Sequence, residues 1–304
     1  MKTNWNTLAT VSLALLLAAC TNDELTDNPL ADGPVALNVT AGINQATTRV
    51  SIDENNSASF TEGDQINVVA DEEETYTYTL QGSSWSAIAD PYYFQSSASV
   101  NFRAWYAVPD VTPTENAISI NTQTQTIDAT TGWNQWDILA TPSVAASASN
   151  STVNFTGDNA FQHVMSQVTI TFQPGDGISN LTALSGYTLK SLTTDATFNT
   201  LTCELNAGSE TGNVTANITD AAGTSYTCTP LILVPQTITG AIGLEVTYNN
   251  QTYEAYLTAP TNGLQPGSSY TYTVTISNTG LTVGDAEISD WTLQTPINGN
   301  TTLQ

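Results

Sequence analysis

Leu17-Ala18-Ala19-Cys20 ends an apolar run that begins at Ser12, and the cysteine at that boundary is placed for covalent chemistry. Lys2 gives the segment a positive start, and about a dozen apolar residues are too few to span a hydrocarbon core of roughly 30 Å. The pattern is that of a bacterial lipoprotein export signal. Residues 1–19 are expected to be removed, the Cys20 thiol to take a diacylglycerol and its amine a third acyl chain. At about 0.8 kcal/mol per buried methylene, such chains together hold a protein on a membrane effectively permanently.

Other reactive side chains are sparse. His163 is the single histidine, which leaves a Ser-His-Asp triad or a His-based metal cluster little to work with. It reads as a hydrogen-bonded structural residue. Asp71-Glu72-Glu73-Glu74 offers oxygens to a cation but lacks the spaced Asp/Asn-Gly pattern of a dedicated calcium loop, so it reads as a solvated turn. Carboxylates are too common here for any pair to signal glycosidase chemistry. No enzyme activity, metal or cofactor is expected. Cys203 and Cys228 remain after Cys20. They are either two buried thiols or a disulfide that an oxidising envelope permits, contributing ~3 kcal/mol.

The elements around these residues read as strands. About 285 residues follow Cys20, enough for one large or two medium domains, and two are favoured. Val35, Leu37, Val39, Ala41 and Ile43 alternate with small or polar residues, as do Tyr76/Tyr78/Leu80, Val168/Ile170/Phe172 and Tyr270/Tyr272/Val274/Ile276. This period of two, with turn residues every eight to twelve positions, predicts an all-β chain of sheets packed face to face. Asn249-Asn250 predicts a tight hairpin turn. Residues 20–33 read as a flexible acidic tether. Gln173-Pro174-Gly175-Asp176-Gly177 follows a strongly alternating strand, so the expected domains are 34–173 and 178–304.

Charge removes one class of partner. The chain carries 28 acidic residues against four Lys and Arg, a formal net charge of −24. Beyond Cys20 only Arg49, Arg103 and Lys190 are basic, too few for the phosphate contacts that dominate nucleic-acid affinity. DNA, RNA and anionic headgroups are excluded as main partners.

Several segments in order resemble the fimbrillin family, the subunit lipoproteins of type V pili of Bacteroidia. Phe60-Thr61-Glu62-Gly63-Asp64-Gln65-Ile66-Asn67-Val68, preceded by Thr47-Thr48-Arg49, is similar to the family's strand entry. Phe102-Arg103-Ala104-Trp105-Tyr106, Asp137-Ile138-Leu139-Ala140 and Phe161-Gln162-His163-Val164-Met165-Ser166 match further motifs, as do Ile232 to Gln236, Leu264 to Tyr272 and Ile288-Ser289-Asp290-Trp291. The resemblance implies two tandem transthyretin-like β-sandwich domains, export to the outer membrane and cell surface, and assembly into a fimbrium by strand exchange with other pilus subunits. A host or bacterial surface ligand is a further implied partner.

In that family a precursor loses its N-terminal strand by cleavage after an arginine. Arg49 is the only basic residue between Lys2 and Arg103. A cut there would release both the lipid and the 35–43 strand; the alternative is a solvated arginine at a strand end. The lost strand's four or five inward side chains amount to ~6–12 kcal/mol of burial at most. A donor strand is expected in the C-terminal segment, through Leu281, Val283, Ala286, Ile288, Trp291 and Leu293, with a bulge at Gly284-Asp285. The alternative is that 281–293 closes the second domain. The rival function is a surface carbohydrate-binding lipoprotein that stacks sugars on exposed Trp133 and Trp136.

Overall fold

The computed structural model describes residues 30, 33–44, 59–108, 111–126, 134–291 and 301–303. Cys20, Arg49, Trp133 and Leu293 lie outside the described residues, as do the signal segment and most of the tether.

Apart from one 3-10 turn at Gly157–Asn159, all the described secondary structure is β. The N-terminal half contains β1 (Val35–Ala36), β2 (Asn38–Ala41), β3 (Gln65–Ala70), β4 (Glu74–Gln81), β5 (Ser84–Ala87), β6 (Tyr93–Phe94), β7 (Val100–Tyr106), β8 (Ala117–Asn121), β9 (Leu139–Ala140), β10 (Val144–Ala146), β11 (Thr152–Phe155) and β12 (Gln162–His163). One sheet runs β12-β9-β7-β3-β4-β5, with β10 also on β7; facing it are the pairs β1 with β6 and β2 with β11. Gly63, at φ 91°, turns the chain into β3, and the Asp64 carboxylate fixes that turn by accepting from the Thr61 backbone N–H at 2.6 Å. Ile66 and Val68 then alternate into the core beside Phe102, Phe155 and Phe161.

The C-terminal half contains β13 (Ser166–Pro174), β14 (Leu184–Thr193), β15 (Asp195–Asn199), β16 (Glu204–Ala207), β17 (Thr211–Ile218), β18 (Tyr226–Thr227), β19 (Leu231–Leu233), β20 (Ala241–Tyr248), β21 (Gln251–Thr258), β22 (Ser268–Ser277), β23 (Gly280–Val283), β24 (Glu287–Asp290) and β25 (Thr301–Leu303). The sheet β18-β13-β22-β23, with β19 on β13 and β24 on β22, faces the sheet β21-β20-β14-β17-β25. Asn249 and Asn250, at φ 51° and 59°, make the β20–β21 hairpin turn that the sequence predicts.

The expected division at 173/178 is corrected by β13. Instead of closing the N-terminal sandwich, this strand lies inside the C-terminal one, parallel to β22 from Gln167 opposite Ser269 to Pro174 opposite Ile276. Alternation fixes which side chains of a strand face inward, but it carries no information about the strand beside it. The break at Gly175 is therefore the turn by which β13 leaves its sheet.

The halves are joined by more than a linker. β8 pairs along its whole length with β15, Ala117 opposite Asn199 through Asn121 opposite Asp195. A third apolar cluster, including Trp105, Ile118, Ile138, Phe198 and Ile232, fills the junction. The buried Gln125 spans it: its Nε2 donates to Thr122 O and Ile232 O, and its Oε1 accepts from Asn134 Nδ2 and Ile232 N, all at 2.8–2.9 Å.

Candidate assembly groove

Residues 35–43 form a ribbon with one buried face. Leu37, Val39 and Ile43 are buried at 3%, 7% and 7% exposure, Val35 and Ala41 are half-buried, and Asn38 and Thr40 face solvent. Beside them in register stand Phe94 opposite Val35, Val153 opposite Val39, Phe155 opposite Ala41 and Phe161 opposite Ile43, all in the same apolar cluster. The ribbon is held by β1 against β6, by β2 in parallel with β11, and by loop contacts such as Leu37 N–H to Tyr92 O at 2.8 Å and Asn44 N–H to Phe161 O at 2.7 Å. Among the described strands, β2 pairs with β11 alone. Along the ribbon lies a cavity of about 320 Å³ lined by Phe60, Leu80 and Trp85 together with Val39, Ala41 and Ile43. The three fully buried side chains contribute about 4–9 kcal/mol as an upper bound. Removing the ribbon would therefore uncover a groove about nine residues long, flanked by Phe94, Phe155 and Phe161 and lined by Phe60 and Trp85.

In this structure the C-terminal segment lies within its own domain, the alternative arrangement the sequence left open for residues 281–293. β23 pairs with the end of β22 and β24 with its start. One extra residue is accommodated between Val283 and Glu287, the phase shift expected at Gly284-Asp285. Leu281, Val283 and Ala286 pack on the C-terminal core, Ile288 is 59% exposed, and Trp291 is buried. All four residues of β24 are exposed, so its side chains bury little.

Trp291 ends at His163. The rings stack with centroids 4.0 Å apart and planes 9° apart, and the Trp291 N–H donates to Gly267 O at 2.8 Å. His163 Nδ1 meets Asp137 Oδ1 at 2.6 Å, both residues being buried. The pair locks β12 to the segment before β9, the structural use expected of a lone histidine. Sequence reasoning singled out His163 and Trp291 in separate motifs; nothing in their spacing shows that they touch.

The remaining predicted residues do not converge. Cys203 and Cys228 are free and buried in different clusters, Cys203 at the junction and Cys228 in the C-terminal core, so the disulfide alternative is corrected to two thiols. Burial pushes the Cys203 thiol up to about 12, and the Cys228 thiol is raised for the same reason. Trp136 is half-buried against the junction and donates its Nε1–H to Thr124 O at 2.8 Å. Among the described residues no group of three or more His, Cys, Asp or Glu could hold a metal ion. In the Asp71–Glu74 turn, Asp71 Oδ1 accepts from Asn101 N–H, and Glu72 lies 3.4 Å from Arg103.

Known proteins share this architecture. A candidate cell adhesion protein from Bacteroides ovatus superposes with a TM-score of 0.66 at 23% identity, covering 86% of this chain and 100% of its own. Another from Bacteroides uniformis gives 0.63 at 21% identity, covering 85% and 99%. At these identities the likeness is one of fold. No curated protein matches the sequence. The fimbrillin-like family matches residues 48–291, a span that contains the Gly63-Asp64 turn, the His163–Asp137 pair and the buried Trp291, and the chain belongs to that family.

Proposed function

We propose that this chain is a structural, non-catalytic fimbrial subunit of the cell surface, exported as a lipoprotein through Cys20 and assembled by strand exchange. The observation that carries this reading is the 35–43 ribbon: it is short, its buried face covers an aromatic groove, and Arg49 follows it within six residues. Cleavage after Arg49 would detach lipid and ribbon together. An extended segment of a neighbouring subunit would restore both the lost ladder and the lost burial. The C-terminal segment from β24 onward is the proposed donor, because all four residues of β24 are exposed and leaving its place on β22 would uncover little of its own domain apart from Trp291. N-terminal sequencing of the surface form tests the reading. A start at Val50 is the expected result for a polymerising subunit, whereas an acylated Cys20 in assembled material would exclude exchange at this groove.

A further inference from the structure

The ribbon fits its groove imperfectly. Leu37, Val39 and Ile43 are buried, but Ala41, which shares their face, is only half-buried and borders the cavity of about 320 Å³ that runs along the ribbon. Register fixes that position: Ala41 on β2 stands opposite Phe155 on β11, and any strand in the ribbon's place presents one inward side chain there. Alanine is the smallest of the ribbon's inward residues.

The rest of the cavity's apolar lining is under-covered as well. Phe60, Leu80 and Trp85 are half-buried, and Phe60 meets Trp85 edge to face with centroids 5.2 Å and planes 87° apart. Open space beside apolar side chains forfeits the burial and contacts that a larger group would supply. Aromatic edges and faces add a preference for a further ring. No charged residue is among the described lining residues of this cavity. The occupant it fits is therefore a large apolar side chain carried on an extended strand.

We propose that this cavity is the specificity pocket for strand exchange, taking a side chain larger than alanine at the place of Ala41 from the C-terminal segment of a second copy of this chain. This role rests on the strand-exchange reading and names the residue that decides the partner. Trp291 is the only aromatic residue from β24 onward, and on an extended strand its neighbours Asp290 and Thr292 face the other way. At home Trp291 is buried on His163. In the neighbour's pocket the indole regains that burial against Phe60 and Trp85. The ribbon, with alanine there, is the weaker occupant.

The test is displacement of the ribbon from the native subunit after trypsin has cut at Arg49, with synthetic peptides as competitors and the released ribbon measured by mass spectrometry after size-exclusion chromatography. Peptides of residues 34–44 are compared in three forms: native, Ala41→Leu, and Ala36→Leu, whose position lies outside the pocket. A peptide of residues 287–297 is compared with its Trp291→Ala variant. Ala41→Leu is expected to lower the half-displacing concentration about tenfold, with Ala36→Leu staying within about twofold of native. Trp291→Ala should raise that of the C-terminal peptide about tenfold. In the uncut full chain Ala41→Leu should raise the urea midpoint, because it fills the same space. An Ala41→Leu peptide no better than native, an equal gain from Ala36→Leu, or a Trp291→Ala peptide as good as its parent overturns the proposal and leaves strand exchange standing. So does a urea midpoint that does not rise, or a C-terminal peptide that displaces nothing while the ribbon peptides do. If no peptide displaces the ribbon, the proposal and strand exchange at this groove fall together.

Discussion

Asp137 and His163 depend on each other because neither has water to fall back on. With Nδ1 donating to Asp137, the Nε2 of His163 is buried without a partner among the described residues, and Trp291 covers one ring face. Asp137→Ala would leave both ring nitrogens unpaired and is expected to cost about 1–3 kcal/mol in urea unfolding. Asp137→Asn keeps an acceptor in place and should cost distinctly less; equal losses would show that packing, not the hydrogen bond, matters. The buried thiols and phenols set the response to alkali. Cys203 is raised by burial from 9.0 to about 12, and Tyr272, also by burial, from 10.0 to about 12. Above pH 9 the unfolded chain loses these protons while the folded chain keeps them, so stability is retained below that point and falls as pH rises toward 12. A urea midpoint that stays flat from pH 9 to 12 would contradict this. The same burial predicts that a thiol reagent finds neither Cys203 nor Cys228 in the native protein and both after denaturation.

At the scale of elements, strands were legible and partners were not. The inward set of residues 35–43 follows from alternation alone, and the structure buries that face. Its parallel pairing with β11 and the move of β13 into the C-terminal sheet could not be read, because a period of two defines faces and leaves neighbours open. Element context also decides where a protease can act. Arg103 lies inside β7, its guanidinium donating to Thr202 O at 3.0 Å and standing beside Glu72. Lys190 lies in β14 between β17 and β20, with Glu245 at 2.6 Å and Glu254 at 2.9 Å. Lys190 is held by β20 opposite Gly243, at a bulge where the β17 pairing lapses, and backbone held in a ladder does not enter a protease cleft without unfolding. Limited trypsin digestion of the native protein beyond the export signal is therefore expected to cut after Arg49 alone. Mass spectrometry would show a fragment beginning at Val50 that persists; early cuts at Arg103 or Lys190 would refute the protection argued for their strands.

At the scale of the molecule, the two sandwiches behave as one body because their junction is built like a core. A reading of two domains linked at a Pro-Gly turn would let each unfold alone. The observed junction has an eleven-residue span from Gly157 to Gln167 running through the His163–Asp137 lock, the β8–β15 ladder, a dry cluster around Ile138 and Phe198, and the fully satisfied Gln125. None of these was visible in the sequence, since an apolar strand face looks the same whether it meets its own sheet or another domain. Under the proposed strand exchange, a subunit pulled through strands at its two ends would need such a junction to pass tension from one sandwich to the other. Calorimetry should accordingly show a single transition whose calorimetric and van't Hoff enthalpies agree. Ile138→Ala, which opens a cavity in the junction at a fully buried site, should lower the whole transition by about 2–5 kcal/mol without splitting it. Two resolved transitions in the unaltered protein would show that the sandwiches are mechanically separate and that the junction does not couple them.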